Sequence, residues 1–526
     1  MLRMKSVVLF LAVGAVAAAQ GLDPSALLHP STDIWPTYNG DYSGRRYSEL
    51  DQINKDNVSG LTMAWSFQTH SQALKTTPLE VNGILYFTVP DHVWAVDART
   101  GRQVWHFSRP SEGNHIGNRG VAMYKDRLYL GTTDAHVLCL DARKGKQLWD
   151  VTLGDINFGY YISVAPLVVK GQVVVGTSGD QADVAHSIIA LDAETGQEKW
   201  RFHTLPEPGT EAARTWPNNN ALAHGGGPAW VTGTYDPAAN LIYWGTGNPH
   251  PVLGGVGRAG TNLYTCSIVA LNADSGKLVW SYQPSPHDTH DWDAVETPVL
   301  FDAEFGGEPR KLLAQASRNG YFFLLDRVTG EHLLTSEFVP VDWASGLDAK
   351  GQPISDPAKE PRLDGSLVAA DEEGGTNWNP PSFDPQTGLF YVNARTGYTL
   401  YYLNLDPNGK PEGHQGGNAV SLWSHARLVA IDYLTGKTKW TREEESAFSF
   451  PGILTTAGHL LITADVTGNL LALDAESGKL LWHKYAGGFV NSGPMTYQLD
   501  GRQYILTAVD SVLYAWALPR AEADQP

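Results

Sequence analysis

The chain has 526 residues, 42% hydrophobic and 18% charged, with 54 glycines, 17 tryptophans and two cysteines. Such aromatic content excludes a disordered chain, and the length supports a large core with no need of a disulfide scaffold or structural metal. The 38 basic and 56 acidic side chains leave a formal charge of −18, which argues against a nucleic-acid or anionic-membrane partner.

No stretch reaches the roughly 20 apolar residues of a membrane span. The N-terminus instead reads as a secretory signal. Arg3 and Lys5 precede an apolar run from Val7 to Val16, and Ala17, Ala18 and Ala19 offer a cleavage point after Ala19. Residues 1–19 are therefore expected to be removed, and residues 20–526 to work as one domain in an exported, oxidising compartment. Cys139 and Cys266 could pair there, although their spacing fixes no geometry. The sequence contains no Cys-x-x-Cys-His, so it carries no site for covalent c-type haem.

One phrase then recurs down the chain. It reads AVDARTGRQVW up to Trp105, CLDARKGKQLW up to Trp149 and ALDAETGQEKW up to Trp200. It returns as ALNADSGKLVW up to Trp280, AIDYLTGKTKW up to Trp440 and ALDAESGKLLW up to Trp482. A copy without the tryptophan, LLDRVTGEHLL, ends at Leu334. Asp97 to Asp141 is 44 residues, Asp141 to Asp192 is 51, and Asp432 to Asp474 is 42. Wider gaps of 80 and 106 residues are read as holding eroded copies, YDPAANLIYW near Asp236 and FDPQTGLFYV near Asp384.

Each copy is a strand, a tight Asp-x-x-Thr/Ser-Gly turn and a second strand leading to tryptophan. A period of about 40–50 residues with four short strands per unit predicts an all-β propeller of about eight blades. The last blade would be closed by joining the N-terminal segment to VLYAWAL near the C-terminus. The repeated tryptophans are expected between neighbouring blades, and the repeated aspartates in turns. The Gly/Pro-rich inserts 206–227, 342–377 and 404–418 should gather on one face, where propellers carry function.

The densest chemistry is Pro286-His287-Asp288-Thr289-His290-Asp291-Trp292-Asp293, with three carboxylates and two imidazoles in seven residues. By residue type alone it could be a polar loop, or a zinc hydrolase site using His287, His290 and Asp291.

The tryptophan repeats resemble the docking motifs of pyrroloquinoline quinone (PQQ)-dependent alcohol dehydrogenases. The opening segment from Trp35 to Tyr47 resembles the start of their mature chains, in particular the haem-free methanol/ethanol dehydrogenase type. The likeness spans about Asp33 to Pro519. Repeats of this sort also occur in outer-membrane assembly scaffolds, which leaves a non-catalytic binding propeller as the alternative. The resemblance implies specific roles. Asp291 matches the catalytic base, and Arg318 matches the arginine that orients the quinone and that base. Arg119, Ser163, Ser178 and Asn377 match cofactor contacts, and Trp230 matches the tryptophan floor under the ring. Asn248 and Asp291 match metal ligands. Asp293 falls where lanthanide-dependent members carry an extra carboxylate, since a larger trivalent hard cation takes more anionic oxygen.

Three departures accompany the match. The adjacent cysteine pair of the family is absent near Gly113-Asn114, and Pro228 replaces a threonine before the floor tryptophan. Gln181 stands where the family has a glutamate ligand, so Asp180 or Asp183 would have to take that role. The resemblance further implies PQQ with Ca2+ or a lanthanide ion, a small alcohol-type substrate, a periplasmic location and a separate cytochrome c as electron acceptor.

Overall fold

The computed structural model describes residues 21–113, 117–179, 184–444 and 451–520. The expected signal segment, Asn114, Asp180, Gln181 and Asp183 lie outside them. Eight sheets of four or five strands stand side by side, with one further two-stranded hairpin formed by Ala344–Leu347 and Pro353–Ser355. Within a blade the strands pair antiparallel in chain order, as in Leu79–Val81, Ile84–Val89, His92–Asp97 and Gln103–Ser108. The closing blade is the expected one: Thr62–Gln68 pairs with Val512–Ala517, behind Arg502–Val509 and Met495–Leu499. No helix among the described residues is long and apolar enough to cross a membrane.

The repeated phrase locks blade to blade. Asp97 Oδ1 accepts from the backbone N–H groups of Arg99 and Thr100 and from the Thr100 hydroxyl, which closes the turn. The glycine of each turn has positive φ and lies against the tryptophan of the preceding blade, except Gly436, which meets Leu334 and Ser336. A Cβ on Gly276, at φ +65, would sit 2.4 Å from Cε3 of Trp200. The indole of Trp200 donates to Ala273 O at 3.1 Å, and Trp105 and Trp280 bond Ala142 O and Arg327 O in the same way. These tryptophans are therefore packing elements, as expected.

The two eroded copies are different. Asp236 ends the first strand of its blade and its turn leads to the second strand, Leu241–Gly245; Asp384 does the same before Leu389–Leu403. Both are first-to-second-strand turns, whereas the repeated phrase joins the third strand to the fourth. The wide gaps hold long loops, not extra blades. Seven copies of the phrase plus the closing blade give eight.

The innermost strand of each sheet would be an open edge. The N-terminal segment covers it. Gln498 N donates to Asp33 O at 2.9 Å, Glu80 N to Trp35 O at 3.0 Å and Leu22 N to Lys125 O at 2.7 Å. The Tyr42 hydroxyl donates to Val168 O at 2.7 Å, while Tyr235 N donates to Tyr42 O at 3.0 Å. Leu300, Phe383 and Thr455 donate to Ser43, Arg45 and Arg46 carbonyls at 2.7, 2.9 and 3.1 Å. Residues 22–46 thus touch the inner edge of every blade.

Glu80, beside this segment, is 1% exposed, and burial pushes its carboxyl from 4.5 to about 8. One oxygen accepts from Gly83 N at 2.7 Å; the other has no hydrogen-bond partner. The folded state keeps a proton that the unfolded chain releases above 4.5, so this stability is lost as pH rises from 4.5 to about 8. Glu80→Gln should keep the Gly83 bond and flatten the decline of melting temperature across that window. Parallel slopes in the two proteins would show that Glu80 is not a source of it.

Candidate active site

Antiparallel pairing places the start of each first strand and the end of each second strand at one end of the propeller. The long inserts emerge there too, as expected. Asp291 and Asp293 precede the first strand Val299–Phe305, Trp230 precedes Thr234–Asp236, and Arg119 precedes Ala122–Tyr124. Asn248 follows the second strand Leu241–Gly245, and Arg318 follows Glu308–Ala316. Six residues spread over 200 positions of sequence therefore converge.

The loop that carries Asp291 is bent by a buried carboxylate. Asp288, 5% exposed, accepts from the backbone N–H groups of His290 at 3.3 Å and Trp292 at 3.2 Å. Asp291, between them, takes φ +67, a left-handed conformation that non-glycine residues adopt at a cost of about 1–3 kcal/mol. Trp292 is fully buried and donates from its indole to Asp371 O at 2.9 Å. Asp371 in turn forms a buried ion pair with Arg395 at 2.6 Å.

Arg318 bridges the carboxylates. Its Nη1 lies 3.1 Å from Asp293 Oδ2, and its Nη2 lies 3.5 Å from Asp291 Oδ2 and donates to Glu372 O at 2.7 Å. Asp293 also accepts from Asn248 N at 2.5 Å and from the Trp230 indole at 2.8 Å. The Asp293 side chain is 3% exposed, that of Asp291 32%. Asp291 is the carboxylate that a small molecule can reach.

These groups are short of positive charge. Burial lifts the Asp291 carboxyl well above the usual range, opposed by Arg318 and reinforced by Asp293, Asp288 and Glu372. Burial raises Asp293 against the pull of Arg318, takes Asp288 to about 6 and takes Glu296 to about 8. A carboxyl held neutral by burial and like charge is the electrostatic signature of a site that a cation would relieve.

Beside the carboxylates is an aromatic and cationic wall. The Arg119 guanidinium is held between two indoles, 4.8 Å from Trp230 and 4.6 Å from Trp378. It donates to Trp230 O at 3.1 Å, and the Ser163 hydroxyl donates to the same oxygen at 3.2 Å. Ser163 therefore spends its proton on the protein. Ser178 Oγ, Arg119 Nε and Arg318 Nε, by contrast, are buried without a hydrogen-bond partner. Asn377 is engaged in its own loop, donating to Glu373 O at 2.9 Å and accepting from Trp378 N at 2.8 Å. Pro228, though it lacks a side-chain donor, accepts from Gly247 N at 2.7 Å and ties the floor loop to the Asn248 loop.

Two expectations do not assemble. His287 Nδ1 faces Gly260 O at 2.8 Å and His290 Nε2 faces Lys359 O at 3.0 Å, so both rings serve the backbone and do not converge on Asp291. The zinc hydrolase reading thereby loses both of its imidazole ligands. Cys139 and Cys266 are free and buried, so the possible disulfide is absent. The Asp180 expectation lies outside the described residues. Sequence reasoning missed Trp378, Lys75 and Asp288. Trp378 adjoins Asn377 and could have been found there; Lys75 Nζ, 5.8 Å from the Trp378 ring, had no sequence signal. A cleft of about 640 Å3 lined by the N-terminal segment, Asp236, Asp302 and Arg327 contains none of these residues.

Residues 35–362 and 443–505 match the family model described as glucose/ethanol/alcohol dehydrogenase, beta-propeller domain. The chain is 36% identical over 537 residues to the quinohemoprotein alcohol dehydrogenase of Comamonas testosteroni, covering 95% of this chain and 76% of the relative. It is 34% identical over 527 residues to the quinoprotein alcohol dehydrogenase PedH of Pseudomonas putida, covering 90% and 84%. Its structure is similar to that of a europium-containing methanol dehydrogenase, with TM-score 0.87, 28% identity and coverage of 94% and 100%. An eight-bladed propeller with an aromatic, carboxylate-rich end, matched over most of its length by quinoproteins, belongs to the PQQ-dependent alcohol dehydrogenase family, oxidoreductases acting on CH–OH groups.

Proposed function

We propose that this chain is a periplasmic quinoprotein dehydrogenase that oxidises a small alcohol, with Asp291 as general base. The observation that carries the reading is the approach of Arg318 to both Asp291 and Asp293 next to the Trp230 floor. The donor set fits PQQ, a planar ring with three carboxylates and an ortho-quinone: Arg119 Nε, Arg318 Nε and Ser178 Oγ are buried donors awaiting acceptors. The excess of buried carboxyls fits a hard cation, Ca2+ or a lanthanide ion, with Asn248, Asp291, Asp293 and Asp180 as the ligand candidates. When bound, PQQ supplies the two-electron acceptor for hydride from the alcohol carbon, and the cation makes its quinone more electrophilic.

The protein's own groups do the rest. Asp291 takes the hydroxyl proton of the alcohol as the carbon is oxidised. Arg318 holds Asp291 in line and pulls its carboxyl toward the ionised form. The Trp230 indole presents a flat stacking surface whose tilt is fixed by its bond to Asp293. Electrons leave to a separate acceptor, a cytochrome c, in keeping with the relative named as a cytochrome c-linked 1-butanol dehydrogenase.

Asp293 has a limited capacity for metal. A carboxylate offers about four lone-pair sites, and Asn248, Trp230 and Arg318 occupy three of them. One remains. Dye-linked oxidation of an alcohol panel, after reconstitution with PQQ and either calcium or lanthanum, tests the reading. Activity with lanthanum alone would support Asp293 as the extra ligand; activity with calcium alone would restrict Asp293 to orienting Arg318 and Trp230. No bound PQQ and no oxidation in either series would leave a non-catalytic propeller of this family.

A further inference from the structure

The strained Asp291 is flanked by residues that are pinned, and most of the pins come from one insert. Thr289 Oγ1 lies 2.6 Å from Glu360 Oε2 and 3.2 Å from His290 Nδ1. His290 Nε2 lies 3.0 Å from Lys359 O. The imidazole stacks on Trp292 at 4.4 Å between ring centroids and meets the edge of Tyr401, whose hydroxyl donates to His290 O at 3.2 Å. Lys359 Nζ is itself anchored, 2.5 Å from Asp342 Oδ2 and donating to Leu367 O at 2.9 Å. The Ser366 hydroxyl donates to Glu360 O at 2.5 Å.

Proton counting orients this chain. Lys359 O only accepts, so Nε2 of His290 must carry a proton. A neutral imidazole then leaves Nδ1 as an acceptor. Thr289 has a single hydroxyl proton, and its 3.2 Å contact with Nδ1 is a hydrogen bond only if that proton goes there. The 2.6 Å contact between Thr289 Oγ1 and Glu360 Oε2 then needs its proton from Glu360. The same protons could be drawn with Glu360 ionised and His290 cationic. Burial opposes that arrangement: His290 is 3% exposed, and its ring faces Trp292, Tyr401, a backbone carbonyl and a hydroxyl. Burial also raises the Glu360 carboxyl, against a Thr289 hydroxyl donated to it and against Arg258, and the first pull vanishes when the Thr289 proton goes to Nδ1. Separating charge across Thr289 is the costlier state.

We propose that Glu360 and Thr289 are positioning residues of the catalytic loop, Glu360 acting as a carboxylic acid that donates to Thr289 Oγ1, which donates to His290 Nδ1. The relay fixes the ring orientation of the residue before Asp291 and so helps hold the base in its left-handed conformation. This rests on the reading of Asp291 as the base. Residues 342–377 thereby have a role beyond shaping the entrance: they clamp the loop through Lys359, Glu360 and Asp371.

The test compares Glu360→Gln, Glu360→Ala, Thr289→Ser and Thr289→Val in the full chain loaded with PQQ and metal. A glutamine amide donates as the carboxylic acid does. Glu360→Gln and Thr289→Ser should therefore keep kcat within about twofold. Glu360→Ala and Thr289→Val should lower kcat about ten- to a hundredfold, with PQQ affinity measured by fluorescence titration nearly unchanged. Glu360→Gln as impaired as Glu360→Ala would overturn the carboxylic-acid assignment, and a fully active Glu360→Ala would overturn the positioning role. Nitrogen-15 spectra of the histidines supply a readout that needs no cofactor: His290 should be neutral with its proton on Nε2 near neutral pH. A cationic or Nδ1-protonated ring would reject the relay. If the wild-type chain bound no PQQ while His290 showed the expected tautomer, the enzymatic reading would fail and the relay would stand.

Discussion

Asp291→Asn should lower kcat by about 10²–10⁴, the usual worth of a general base, while PQQ binding is retained. The substitution keeps the shape of the side chain and removes its basicity. Asp291 contributes little to holding the floor, because Trp230 bonds to Asp293 and Arg119. Its ionisation should also govern the pH profile. Burial and the neighbouring carboxyls raise the Asp291 carboxyl, so the base form fills only as pH rises, and Arg318 and a bound cation pull in the other direction. In the wild type kcat/KM should climb with pH along an acidic limb, and Asp291→Asn should lose that limb together with the rate. Stopped assays across pH with a dye acceptor measure both. A variant that keeps wild-type turnover would assign the proton to another group.

Removing Arg318 should have the larger structural effect. The guanidinium is 6% exposed, with Asp293 at 3.1 Å and Asp291 at 3.5 Å. Breaking a buried pair by deleting one partner typically costs about 3–5 kcal/mol, since the remaining charge is left without compensation. Here the carboxyls can take up protons, so Arg318→Met should fall toward the low end of that range in urea unfolding. Calcium should then raise the melting temperature of Arg318→Met more than that of the wild type, because the cation supplies the missing charge. Arg318→Lys tests geometry. A single ammonium carries the charge but cannot span both carboxylates and Glu372 O, so stability should largely return while turnover stays low. Equal melting temperatures for Arg318→Met and the wild type would show that the carboxyls are already neutral and need no counter-charge.

The fold was legible because its signal is repeated. Each copy of the phrase combines turn chemistry with a glycine at positive φ, six of the seven add an indole against the next blade, and the copies reinforce one another. The reading failed where only a turn was visible. Asp236 and Asp384 satisfy turns like the others, but they join a different pair of strands, and no local property distinguishes the two. Asp291, Arg318, Trp230 and Asn248 were recognised one motif at a time. Their mutual bonds were not legible, since no periodicity connects a loop before one first strand with the end of another blade's second strand.

Composition, repeats and motifs determined the class: an all-β propeller of about eight blades whose candidate site lies among the inserts between strands. Those properties are local or periodic, and sequence records them directly. Tertiary structure alone decided that His290 is a buried ring facing Lys359 O and does not converge with His287 on Asp291. It also decided that Asp293 is already bonded three times and that residues 22–46 reach the inner edge of all eight blades. Such facts depend on which atoms are excluded from water together. Burial and pairing across hundreds of residues arise only when the ring closes.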